Sequence, residues 1–361
     1  MAVEATTSPP ERLRAGGEVL SLLSDALNSS ILRVLMAGPL PVSEFGARLG
    51  PTSRTTRFSR LRDLERLGVI KREKRPGTPP VAYCELTAAG RELLPVVRRF
   101  ARWLAESPEG PSSPDELAGA GAIKALAVAW DTTVLRWLAE RPCSVTELDS
   151  LSPPDVTYHE VRKAREALST AKLIGPVASD ERGQPYAATE WARRAAGCIA
   201  AAIHWEGAFL SGAERPAPAE AEGLLRMLLP VVEIQPTLQS GVCELRIDRH
   251  ADLSVLVGEG RIVACDPASS HPRASQVSGD AEAWLHAVLD GKTDSLRMRG
   301  GIHLTAALAD GLHRACVQLA TMDGAIATLD KCFDSMYAVS ARENRTVPIS
   351  RTFSNDPVKY L

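Results

Sequence analysis

Between residues 51 and 75 the chain carries nine basic side chains, Arg54, Arg57, Arg60, Arg62, Arg66, Lys71, Arg72, Lys74 and Arg75, against Asp63, Glu65 and Glu73. The local excess is six positive charges on a protein whose formal net charge is −2. A patch of this kind can neutralise a run of phosphates, and guanidinium groups can in addition pair with base edges. The hydroxyls of Ser53, Thr55 and Ser59 are interspersed among them. The plainer alternative is a solvated charged face. No catalytic constellation competes with it: there is no His-Glu-x-x-His, no Gly-x-Ser-x-Gly and no phosphate loop ending in Gly-Lys-Ser/Thr. Gly258/Gly260 and Gly300/Gly301 are turn glycines. Asp248, His250 and Asp252 alternate as on one strand face, which admits a weak metal site, although exposed edge polarity is the plainer reading. Neither an enzyme nor a cofactor or metal is expected.

The elements that must position the basic residues follow from pattern and punctuation. Val19, Leu22, Leu23, Ala26 and Leu27 mark a first helix, and Ile31, Leu32, Val34 and Leu35 a second, stopped by Pro39 and Pro41. Ser43 is placed to cap a short helix over 44–49. Ser53 is placed to cap a longer one through Leu67, with Gly68 as its left-handed end. Two strands, Val69–Lys74 and Val81–Leu86, flank a turn-rich tip at 75–80, and Thr87 caps a last helix to about Glu106. Helices followed by a two-stranded ribbon make a winged helix-turn-helix. On it Arg54, Thr55, Ser59 and Arg62 are expected on the groove-facing surface with Ser53, Arg57 and Arg60. Lys71, Arg72, Lys74 and Arg75 are expected to meet the backbone or minor groove of double-stranded DNA.

The pattern then repeats. Leu27–Leu35 (LNSSILRVL) is echoed by Trp130–Leu138 (WDTTVLRWL), and Pro41–Phe45 (PVSEF) by Ser144–Leu148 (SVTEL), both at an offset of 103. Leu64–Ile70 is echoed by Leu168–Ile174 at 104. Order, spacing and apolar phase agree, so a diverged tandem duplication is expected. The second copy would have a wing around Asp180–Gln184 and a last helix from about Thr189 to Trp205. It differs electrically, because residues 152–185 hold five basic and five acidic side chains. Tyr158, His159, Arg162 and Lys163 can still touch DNA, or this unit can serve as a pairing surface.

The residues Ser53–Ile70 (SRTTRFSRLRDLERLGVI), then Pro79–Pro80, Tyr83, Leu86–Thr87 and Gly90, resemble the HxlR family of bacterial winged-helix transcription regulators. The resemblance covers 16–106. Leu27 stands where the family places an aromatic residue, Trp130 occupies the equivalent site of the second unit, and Arg57 replaces an apolar residue. The resemblance implies dimers that read two half-sites, which a tandem chain can meet as a homodimer or as an intramolecular pseudo-dimer.

Beyond 211–220, rich in Pro, Ala and charge, the pattern turns to α+β. Val242–Asp248 alternates as a strand, and Leu253–Val257 and Arg261–Cys265 form a hairpin. Asp280 caps a helix closed by Gly291, a short strand spans Leu296–Gly301, and a helix runs from Leu304 to about Thr321. Val277-x-Gly279-Asp-Ala-Glu-Ala-Trp284-Leu-x-x-Val288-Leu-x-Gly291, then Leu296–Gly300, resembles a sterol-carrier-protein-like domain over about 220–320. That resemblance implies an apolar tunnel, with Val255, Val257, Trp284, Leu285, Val288, Leu296, Met298, Ile302 and Leu308 as ligand-lining candidates. Residue by residue, core filling is the plainer reading.

The whole is thus a multidomain α+β chain. Its expected parts are a flexible N-terminus (1–15), a first winged helix (16–106), a linker (107–120), a diverged second winged helix (121–210), a linker (211–220), a ligand-sensing domain (221–340) and a tail (341–361). At 361 residues with 45% hydrophobic content, several cores are affordable. Seven scattered cysteines without a C-x-x-C suit a reducing cytoplasm. No apolar run approaches membrane-spanning length, and the first residues lack a signal-peptide pattern. The function expected is a cytoplasmic repressor whose operator affinity responds to a hydrophobic small molecule. The rival is a lipid- or metabolite-carrying or scaffold protein that uses its winged helices for protein contacts.

Overall fold

The computed structural model describes residues 16–50, 52–76, 80–108, 121–178, 183–210, 216–234, 241–265 and 275–317. The expected N-terminal segment, the 109–120 part of the first linker, the second wing's tip at 179–182 and the C-terminal tail lie outside the described residues.

The chain begins with α1 (Gly17–Leu23) and α2 (Ala26–Met36), the latter capped by Asp25, whose side chain accepts from the Leu27 N–H at 2.9 Å. After Gly38 and Pro39, β1 (Leu40–Pro41) leads into a 3-10 turn (Val42–Glu44) and α3 (Phe45–Arg48). Ser43 lies within that turn and makes no cap, a correction to the expected helix start. Ser53 does cap α4 (Arg54–Arg66), accepting from the Thr56 N–H at 3.0 Å. Gly68, at φ +68°, ends α4 and turns the chain into β2 (Ile70–Arg75), which pairs antiparallel with β3 (Val81–Leu86) from Ile70↔Leu86 to Arg75↔Val81. β1 pairs with the other edge of β3, giving the order β1-β3-β2.

Thr87 caps α5 (Ala88–Ala105), accepting from the Gly90 N–H and donating its hydroxyl to the Gly68 and Val69 carbonyls. Gly90 is required because a Cβ there would lie 2.1 Å from the Val69 carbonyl oxygen. The Thr-x-x-Gly spacing is therefore a weld between the wing and the helix that follows it.

Residues 121–209 give the same element order: α6 (Gly121–Ala127), α7 (Ala129–Glu140), α8 (Val145–Leu151), α9 (Tyr158–Thr170), β4 (Ile174–Pro176), β5 (Tyr186–Ala188), α10 (Glu190–Arg194) and α11 (Ala196–Phe209). The correspondence extends to single bonds. Thr189 donates to the Lys172 and Leu173 carbonyls as Thr87 does to Gly68 and Val69, and Lys172 is left-handed (φ +59°) like Gly68. A Cys143↔Tyr186 bridge stands where β1 meets β3. The expected last helix of this unit is broken at Ala195 into α10 and α11.

The two units meet reciprocally. Trp103 Nε1 donates to the Trp191 carbonyl and Trp191 Nε1 to the Trp103 carbonyl, each at 2.8 Å, with the indoles stacked 4.5 Å apart. Trp205 Nε1 donates to the Ala89 carbonyl at 2.9 Å. Nearby, buried Glu206 accepts from the Gly16 and Val19 N–H groups at 2.7 Å each, tying α11 to the start of α1.

α11 is apolar from Ala196 through Ile203 and is packed on several sides, against α1, α5, α10 and three later helices. These are α12 (Pro218–Leu228), α13 (Ala281–Asp290) and α14 (Ile302–Val317). The first begins at Pro218, in the first helical position. The last two helices and α12 cover a five-stranded sheet of β6 (Gly241–Ile247), β7 (Ala251–Gly258), β8 (Arg261–Cys265), β9 (Ser275–Gly279) and β10 (Arg297–Gly300). Its order is β10-β9-β6-β7-β8, with only β6 and β9 parallel among these pairs. One apolar core runs continuously through residues 19–316.

Candidate nucleic-acid interface

α4 is anchored through Leu61 and Leu64, both fully buried, which leaves Arg54, Thr55, Ser59 and Arg62 exposed together with the cap Ser53. Positions 54, 55, 59 and 62 fall on one side of a 3.6-residue helix, so they form a single outward strip. The Arg54 guanidinium lies 5.4 Å from the centre of the Phe58 ring, one turn on.

The remaining cations divide by what they touch. Arg57 is half-buried, donates to the Thr52 carbonyl and lies against Gly46, so it braces the turn between α3 and α4. Arg60 bridges Asp25 at 2.6 Å and Asp63 at 3.5 Å, tying α4 to the cap of α2. Both were expected in the groove-facing set, and both are engaged in internal contacts. In the ribbon, Lys71 pairs with Glu85 at 2.7 Å and Arg72 pairs with Glu65. Arg75 pairs with Glu85 at 3.5 Å while lying 4.4 Å from the centre of the Tyr83 ring. Among the described residues, Arg54, Arg62 and Lys74 form no ion pair, and all three are exposed. Counting charge along the chain missed Asp25, Glu85, Phe58 and Tyr83 as partners. The i, i+4 spacing of Arg54 and Phe58 was the available signal for one of them. Between these cations, Cys84 is fully buried and burial pushes its thiol up to about 11, which leaves it unreactive at neutral pH.

On the second unit, Tyr158, His159, Arg162 and Lys163 are all exposed along α9. Glu160 sits in the first turn, where its carboxylate accepts from the Thr157 N–H at 2.8 Å; hydrogen bonds from Thr157 hold it below the usual carboxylate range. Glu166 is exposed on the same helix, and Arg165 lies 5.4 Å from the centre of the Tyr186 ring.

The apolar ligand candidates are placed differently from one another. Val255, Val257, Trp284, Leu285, Val288, Leu296 and Leu308 are buried in the core, and Trp284 Nε1 donates to the Arg246 carbonyl at 3.1 Å. Met298 is half-buried, whereas Ile302, at the start of α14, is 68% exposed and stands apart from that set. An apolar pocket lies elsewhere, between α1, α6, α7, α11 and α12. Its lining includes Leu20, Leu126, Ile203, Leu224 and Met227, together with Arg136. Asp248, His250 and Asp252 do not share a strand face, because 248–250 form the turn between β6 and β7. Each has its own partner, Arg297, Glu222 and Arg246 respectively. No cluster of three or more metal-ligating side chains occurs among the described residues, and no single helix there is long and apolar enough to cross a membrane.

Comparison with known proteins matches this first unit. The HxlR-like helix-turn-helix family profile covers residues 22–110. An uncharacterized HTH-type transcriptional regulator of Methanothermobacter thermautotrophicus is 36% identical over 76 residues, 21% of this chain and 57% of that protein. The chain thus spans little more than half of that relative. The uncharacterized HTH-type transcriptional regulator BH0655 of Halalkalibacterium halodurans is 30% identical over 88 residues, 24% of this chain and 78% of the relative. The corresponding regulator YvaP of Bacillus subtilis is 32% identical over 89 residues, 25% of this chain and 82% of its own. Through this first unit the chain belongs to the HxlR-like helix-turn-helix family.

Proposed function

We propose that the protein is a sequence-specific, double-stranded-DNA-binding transcription regulator, and that its first winged helix is the principal reader. The observation that carries this reading is the exposed strip Arg54, Thr55, Ser59 and Arg62 on α4 beside the exposed Lys74 of β2. A helix of this kind fits a major groove. Its arginines can each take the O6 and N7 of a guanine, while ribbon cations neutralise phosphates alongside. Family membership and the names of the relatives support the same reading.

The second unit is proposed as a diverged duplicate docked on the first as an intramolecular pseudo-dimer. The matching Thr87 and Thr189 bonds and the reciprocal tryptophan contacts support this. The proposed mode of action is repression by occupying promoter DNA, relieved when a small apolar molecule favours one arrangement of the two units over the other. The apolar side chains of the C-terminal sheet and helices are largely committed to the core. The pocket among α1, α6, α7, α11 and α12 is therefore the better-suited place for such an effector, since it touches both units at once.

The test is binding of the purified chain to DNA upstream of its own gene at two salt concentrations, with Arg54→Ala and Arg62→Ala alongside. Tight, sequence-selective and salt-sensitive binding that the two changes weaken is the expected result. Weak binding indifferent to sequence and to both arginines would overturn the reading in favour of a carrier or scaffold role.

A further inference from the structure

The two units meet through reciprocal contacts, and this bears on the shape of the DNA site. Trp205 is the counterpart of Trp103 at an offset of 102, and Trp191 is the counterpart of Ala89 at the same offset. The bond from Trp103 to the Trp191 carbonyl is therefore answered by the bond from Trp205 to the Ala89 carbonyl. A residue of one unit touching a partner whose counterpart touches it back is the signature of a two-fold interface. Here the interface is closed within a single chain, and α1 is further clasped by Glu206 of α11.

The two heads so paired are chemically unlike. At an offset of 104, Arg54 corresponds to Tyr158, Thr55 to His159, Ser59 to Lys163 and Arg62 to Glu166. The first ribbon strand carries Lys71, Arg72, Lys74 and Arg75, whereas its counterpart runs Ile174-Gly-Pro-Val-Ala178 without a cation. Thr56 in the first turn of α4 corresponds to Glu160, whose carboxylate occupies the N-terminal end of α9. A helix N-terminus ordinarily favours phosphate, and a carboxylate in that place repels it.

Resting on the reading of the first unit as a DNA reader, we propose that one chain by itself recognises an asymmetric DNA element. In that element a guanine-containing half-site is read by α4 and its ribbon. The other half is contacted weakly and with a different base preference by α9. Two-fold operators suit identical heads. A carboxylate at Glu166 cannot replace the bidentate donation of Arg62 to guanine; it accepts instead, as from the amino group of cytosine.

The experiment is selection of bound duplexes from a random-sequence pool by the full chain, followed by sedimentation of the complex with the selected duplex. The expected result is a motif without internal two-fold symmetry, bound by one chain per duplex. On that duplex Arg62→Ala loses about 10- to 100-fold in affinity, and Arg162→Ala changes it by less than about threefold. Glu166→Arg, an exposed substitution, gains about tenfold on a duplex whose weaker half is replaced by an inverted copy of the stronger. An inverted-repeat motif bound by two chains overturns the proposal while leaving the regulator reading intact. A pool that shows no sequence preference overturns both.

Discussion

Arg57 and Arg60 carry the same charge as Arg54 and Arg62, yet their environments give them different roles. Arg57 closes on the Thr52 carbonyl and Arg60 on Asp25, so their charge is spent on holding α4 against α2 and α3. Helical periodicity places residues on faces, but it does not say which neighbouring element supplies a carboxylate. For that reason the outward strip was legible in the sequence and the inward pairs were not. Two further side chains make testable demands. The Gly90 position meets the Val69 carbonyl, so Gly90→Ala is expected to destabilise the chain by roughly 2–4 kcal/mol in a denaturant titration, through forced separation of wing and helix. Asp131 is 7% exposed, and burial pushes its carboxyl up to about 6 from its ordinary 3.8, partly offset by Lys163. An acid whose folded value is raised adds stability below its unfolded value and loses it as pH climbs through the folded one. Asp131→Asn should therefore gain up to roughly 1–3 kcal/mol over the native chain at pH 8, and the gain should vanish near pH 4. Equal effects at both pH values would contradict the assignment.

At the scale of elements, caps were the most readable features. Ser53, Thr87 and Asp280 each accept from the first turn of the helix they precede, whereas Asp25, inside the span expected for the first helix, caps α2 and places Ala26 and Leu27 in it. What failed locally were short pieces decided by tertiary contact, such as the 3-10 turn before α3 and the break between α10 and α11. The tryptophan pair lies beyond any local pattern, because Trp103 and Trp191 are far apart in sequence and each Nε1 needs a carbonyl that only docking supplies. Trp103→Ala removes a fully buried, stacked indole and leaves the Trp191 carbonyl without the donor it receives from Trp103 Nε1. A loss of about 3–5 kcal/mol is expected by thermal or denaturant unfolding. A loss below about 1 kcal/mol would mean that this contact does not join the units.

At the scale of the molecule, the sequence suggested separable domains joined by linkers, whereas the described residues share one continuous core with α11 at its centre. The signal was present in the apolar run of α11 from Ala196 to Ile203, which has no polar face to turn to solvent. Shared packing predicts a single unfolding transition for residues 16–108, residues 121–209 and the C-terminal sheet, coincident by calorimetry and by tryptophan fluorescence. It would also give the proposed effector, if held between α1 and α12, a physical route to altering the relation of the two units. Whether DNA is read mainly by the first unit is decided by titrating one duplex with three versions of the chain under identical salt. These are the native chain, Arg54→Ala/Arg62→Ala, and Arg162→Ala/Lys163→Ala. If the first unit is the main reader, the first pair loses about 100-fold or more and the second less than about tenfold. Equal losses for the two pairs, or a larger loss for the second, would contradict it.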